Sequence, residues 1–202
     1  MSIRHAGRLL LVSACGLASP AQAHLVQTGF GDFYDGLAHV ALTPADLLLV
    51  IAVALLAGQR GTLAARWTLF ALPVAWLVGG LIGTRMPDET TLPVLTTLSF
   101  GVAGILVVFD ARVPAAVVAG FGVAVGLVPG IVNGATLSPA GAGLLGLAGA
   151  VSAVFCLFAM LSAQVTTLKA GWTRIAMRAV GSWIAAAGLL MLGWLARPLV
   201  VS

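Results

Sequence analysis

The chain has three histidines and six acidic residues, and they are unevenly placed. The segment "HLVQTGFGDFYDGLAHVALTPAD", residues 24–46, holds His24, His39, Asp32, Asp35 and Asp46. Neutral imidazole and carboxylate oxygen together suit a borderline divalent cation such as nickel, cobalt or zinc. His39 and Asp46 come within reach of each other if "HVALTP" folds back. His24 adds a further group if a signal is cleaved after Ala23, because its free amine and its ring then become two ligands from one residue. Asp32 and Asp35 are candidates for gathering an ion just before it reaches His39 and Asp46. Each of these residues also has a purely structural role open to it. In "TPAD", Thr43 suits an N-cap, Pro44 a first helical position and Asp46 the capping partner three residues on. His39 could be an interfacial histidine bonded to backbone, and His24 an accident of the cleavage point. No catalytic constellation accompanies them. After the signal the chain offers two His, one Cys and one Tyr, too little polar equipment for an enzyme. No tightly bound cofactor is expected, and the metal would be cargo.

The elements that must position these groups follow from composition. The 202 residues are 60% hydrophobic and 8% charged. A soluble domain carries about 25% charged residues, so an all-α integral membrane protein is expected. The net charge of +4 comes from single scattered basic residues and does not point to nucleic acid. Residues 1–23 read as a signal peptide: Arg4 and Arg8 precede an apolar stretch, and "AQA" supplies a small-x-small site. "VSAC" offers a rival lipoprotein cleavage before Cys15. Residues 24–42 then form a periplasmic N-terminal segment. In it Phe30, Phe33 and Tyr34 alternate with Gly and Asp, as in a short amphipathic piece lying in the headgroup layer. Residues 43–202 form the membrane domain.

A spanning helix needs about 20 mostly apolar residues. Six candidates follow the signal, at 43–58, 67–84, 91–109, 113–133, 139–164 and 179–196, giving a six-helix transmembrane bundle. A cleaved signal puts His24 outside. The inner loops then carry Arg60, Arg66, Arg112, Lys169, Arg174 and Arg178, against Arg85 and Arg197 outside. This bias agrees with the positive-inside rule and places both mature termini in the periplasm. Cys156, alone in an apolar run, reads as a small buried hydrophobe.

The fourth candidate span contains "GFGVAVGLVPGIVNG". Gly122, Gly126, Gly130 and Gly134 recur every four residues and line one face, a groove for close helix approach. Pro129 removes one backbone hydrogen bond and is expected to kink the helix, as in a packing bend or in a passage that exposes backbone to an ion. Asn133 with Gly134 reads as the turn that ends this span. In the third span Thr96, Thr97 and Ser99 either bond back to the preceding turn or line a weak polar path.

With "GF…DGLAHVALTPADLLLVIAVALLAG" opening the membrane domain after a cleaved signal, the chain resembles the HupE/UreJ family. That resemblance implies a bacterial inner-membrane protein regarded as a nickel or cobalt permease, often linked to hydrogenase or urease maturation. His39 and Asp46 match the His and Asp of the family's first-span motif, and Leu47 stands where the family has a second His. In "VPGIVNGAT" Gly130 and Gly134 are kept, Pro129 and Asn133 replace two histidines, and Thr136 replaces a Glu. The scaffold is therefore retained while several of the family's ligand side chains are replaced. The expected partners are the lipid bilayer and a divalent metal ion, with a homo-oligomer or a membrane partner protein also open. A second function of another class is a non-transporting membrane accessory that packs on a partner through its Gly-rich helices. A third is a path for protons or a small neutral solute along the third span.

Overall fold

In lipid, backbone amides must be paired within their own segment, which favours helices. The computed structural model describes residues 28–87, 92–110, 112–138, 142–168 and 171–197, and every regular element among them is a helix. The signal region, Cys15, His24, Asp88, Glu89 and Lys169 lie outside the described residues. The helices are α1 (Asp32–Leu42), α2 (Pro44–Gln59), α3 (Thr62–Gly83), α4 (Pro93–Val108), α5 (Ala115–Leu137), α6 (Gly143–Thr167) and α7 (Gly171–Leu195).

Helices α2 to α7 fall on the six stretches read from hydropathy, and α1 is additional. Four of them, α3, α5, α6 and α7, are long and apolar enough to cross a membrane. α1 and α2 pass the same test only as a pair, bent by 73° where they join. α4 is apolar but has 16 residues, a length of about 24 Å at 1.5 Å per residue. Length and composition thus give four spans among the described residues, or five with the bent pair, rather than six.

α2 is the axial helix and packs against each of the other six. Its run from Ala52 to Gly58 is buried throughout. Around it the remaining helices associate along seams of glycine. α3 and α5 run parallel in constant register. A Cβ added to Gly122 would meet Thr68, and one on Gly126, Gly130 or Gly134 would meet Leu72, Trp76 or Gly80 in turn. The contact is reciprocal, because Gly79 and Gly83 of α3 sit against the carbonyls of Leu127 and Ile131. α4 and α7 run antiparallel, with Gly101 facing Gly188 and Gly104 facing Gly181 and Ala185. α1 crosses α6 where Gly36 meets Gly146 and Gly149 meets Phe33. Between lipid-bathed helices such close approach supplies the dispersion contacts that apolar burial cannot.

Cys156 is exposed rather than buried. It lies on an outward face of α6, where lipid would cover a small thiol as well as protein does. Thr97 and Ser99 donate to the carbonyls of Pro93 and Leu95, one turn back in α4. Those hydroxyls are therefore satisfied within their own helix.

Candidate functional site

Pro44 opens α2 at its first position, as "TPAD" suggests, but the capping box does not form. Thr43 makes no side-chain cap. Its backbone N–H instead donates to the carbonyl of His39 at 2.8 Å. That bond closes α1 and turns the chain through the 73° break. His39, in the last turn of α1, and Asp46, in the first turn of α2, come to lie on either side of the bend.

Asp46 is 3% exposed and Asn133 is 2% exposed. A buried carboxylate needs donors, and Asp46 Oδ2 accepts from Asn133 Nδ2 at 3.1 Å. The other end of the same amide faces the imidazole, with Asn133 Oδ1 3.2 Å from His39 Nε2. His39, Asn133 and Asp46 thus form one chain through three helices. With Oδ1 facing the ring, Nε2 carries the hydrogen and Nδ1 keeps its lone pair. A histidine that ligates a metal commonly donates its other N–H to an oxygen that fixes the ring. The amide of Asn133 is placed for that role, with both the imidazole and the carboxylate in its grip.

Asn133 is not a turn residue. α5 continues through Asn133 and Gly134 to Leu137. The Asn-Gly turn signature yields here because Gly134 packs directly on the backbone of Gly80. An apolar surround also leaves the helix as the way to pair its amides. Gly130, one turn before Gly134, rests on Trp76 in the same manner. These two contacts hold α5 against α3 and deliver the Asn133 side chain toward α1 and α2. Pro129 is buried inside α5, and the helix runs on past it. Lacking an N–H, it leaves the carbonyl of Val125 without its donor four residues on.

The other residues singled out from sequence fall elsewhere. Asp35 is 8% exposed. Its Oδ1 accepts both the backbone N–H and the hydroxyl of Thr28 at 2.6 Å, which ties the entering chain to α1. Asp32 is exposed in the first turn of the same helix. His24 lies outside the described residues. Gly122 and Gly126 belong to the α3–α5 seam. Phe30 and Tyr34 are exposed and meet edge to face, with ring centroids 6.2 Å apart.

Among the described residues no three His, Cys, Asp or Glu side chains gather at one point. The donors on offer are one imidazole nitrogen and one carboxylate. That set suits a borderline divalent ion in kind, with water or further groups completing its shell. Sequence reasoning missed Asn133 as the bridge between His39 and Asp46. The available signal was an amide inside an apolar run, where a polar side chain needs a partner.

No curated protein and no solved structure matches the chain. A family model described as HupE / UreJ protein matches it over residues 11–191. The match covers nearly the whole sequence, and the chain belongs to the HupE/UreJ family.

Proposed function

We propose that the protein is an inner-membrane permease for a divalent transition-metal ion, nickel or cobalt first. The observation that carries this reading is the meeting of His39 and Asp46 on the two faces of one buried amide. Membership of a family associated with nickel and cobalt transport or an accessory function supports it. In this reading α2 to α7 are six spans, with α4 matched to the bilayer by local thinning. The signal is removed after Ala23 and both mature termini face the periplasm. His24 and Asp32 meet the ion first, and Asp35 adds negative charge at the outer mouth while it holds Thr28. The ion then exchanges part of its water for His39 Nδ1 and Asp46, whose geometry Asn133 maintains. Transport is channel-like or gradient-driven, since the sequence carries no nucleotide-binding motif.

Nickel and cobalt accumulation in cells expressing the full chain tests the proposal. His39→Ala and Asp46→Ala are each expected to lower uptake at limiting metal by about tenfold or more. Uptake equal to wild type in both variants would remove the reading.

The accessory alternative drew its support from glycine-rich helices open to a partner. Gly122, Gly126, Gly130 and Gly134 are instead occupied by α3 of the same chain.

A further inference from the structure

At the end of the bundle opposite Asp46 the charges do not balance. Arg60, Arg66, Arg112, Arg174 and Arg178 gather there, and Asp110 is the one carboxylate facing them among the described residues. Arg60, with a side chain 12% exposed, holds Asp110 Oδ1. Arg174 stands 3.5 Å from Oδ2 through its Nε, is 70% exposed, and has no further partner among the described residues. A guanidinium carries five N–H donors in a planar fork, so the outer edge of Arg174 is open. A cavity of about 450 Å³ lies against it, lined by Gln59, Gly61, Asp110, Thr166 and Gly171 among others. Two arginines against one aspartate leave this cluster one positive charge in excess. Three helices finish around it, α2, α4 and α6, and two begin, α3 and α7. Helix ends carry about half a charge each, so three against two do not reverse the side-chain excess.

An apolar groove continues from the cavity along α7. Thr173 and Met177 line the cavity, and Val180, Ile184 and Ala187 carry the same stripe onward at helical spacing. With Trp183, and with Leu48 and Ile51 of α2, those three enclose a groove of about 430 Å³. Ile184 lies about 15 Å beyond Arg174 along α7, which is one leaflet of a roughly 30 Å hydrocarbon core. From Ala179 to Ala187 the groove runs about 12 Å, giving a mean cross-section of roughly 36 Å². A helix about 10 Å across needs roughly 80 Å². The groove is therefore too narrow for a helix of a partner protein or of a second copy, and wide enough for a hydrocarbon chain.

We infer that cavity and groove together hold one phospholipid with a net anionic headgroup, drawn from the leaflet at this end of the bundle. Its phosphate takes the open edge of the Arg174 guanidinium, in the two-point manner that arginine favours. Arg60 meanwhile keeps Asp110 neutralised. One acyl chain lies in the groove between α2 and α7, with the 80% exposed Trp183 as its lip. The site is independent of the transport reading and of the ion carried.

Native mass spectrometry of the purified full chain in detergent, titrated with phosphatidylglycerol or with phosphatidylcholine, tests it. Wild type is expected to bind one phosphatidylglycerol at a concentration about tenfold below that needed for phosphatidylcholine, whose choline offsets its own phosphate. Arg174→Gln, which leaves the Arg60–Asp110 pair in place, should bring the two lipids within about twofold of each other. Arg178→Gln removes the same charge one turn on, outside the cavity lining, and should keep the preference. Ala187→Phe, which fills the groove, should weaken both lipids alike. Equal binding of the two lipids by wild type would overturn the site. So would a preference that survives Arg174→Gln, or one lost equally in Arg178→Gln, which would mark general surface charge. Displacement of the lipid by inorganic phosphate would also overturn it, by showing a headgroup pocket with no slot for the chain.

Discussion

Asn133 has one acceptor and one donating nitrogen on a planar amide, and both are engaged, one toward His39 and one toward Asp46. Asn133→Leu keeps roughly the same volume and removes both bonds. It leaves a buried carboxylate and a ring N–H unpartnered, each at a cost of about 1–3 kcal/mol. It also frees the imidazole to rotate. Loss of such an orienting group typically weakens metal binding by about 10- to 100-fold. The expected outcome is a half-saturating metal concentration for uptake raised by about that factor, with the protein still inserted. An unchanged value would show that the amide only fills space. Much of this site was legible in the sequence. The clustering of His39 and Asp46 ahead of an apolar run marked the place. The bridge was not legible, because Asn-Gly reads as a turn when local chemistry alone is considered. Only the contact of Gly134 with α3, 54 positions upstream, converts the pair to helix.

The helices were legible to within a few residues wherever a long apolar run carried them. α1 was not, since its eleven residues mix five aromatic or apolar side chains with two aspartates, one histidine and three small residues, and an aromatic-belt reading fits that pattern equally. What fixes α1 as a helix is tertiary: its approach to α6 at Gly36 and Gly149 and the Thr28 anchor on Asp35. The seams make a sharp expectation at this scale. A leucine at Gly134 would drive a side chain into the Gly80 backbone. Overpacking of this kind typically costs about 1–3 kcal/mol and more where only backbone could yield. Gly120 lies in the same helix with nothing within 4 Å of its added Cβ, so Gly120→Ala should be neutral or gain up to about 1 kcal/mol. Thermal melting of both variants in detergent checks the contrast, and equal midpoints would refute the seam as a source of stability.

The molecule as a whole carries most of its basic residues at one end, with Arg85 and Arg197 at the other. Arg60, Arg66, Arg112, Arg174 and Arg178 all sit where α2, α4 and α6 end and α3, α5 and α7 begin. In a bacterial membrane that end is expected to stay in the cytoplasm. Single cysteines introduced as Arg85→Cys and Arg112→Cys, in a background with both Cys15 and Cys156 replaced by Ala, test the orientation. A membrane-impermeant maleimide should label the first in intact cells and the second only after permeabilisation. Labelling of residue 112 in intact cells would invert the topology and detach His39 from the periplasm.

Because α3 and α5 run side by side in the same direction, their peptide dipoles reinforce each other instead of cancelling. Both negative poles emerge at the end of the bundle where Asn133 lies, while the positive pole of α2 faces the carboxylate of Asp46. At this rim the backbone therefore sets one helix start against the fixed carboxylate of Asp46, beside the finishes of α3 and α5.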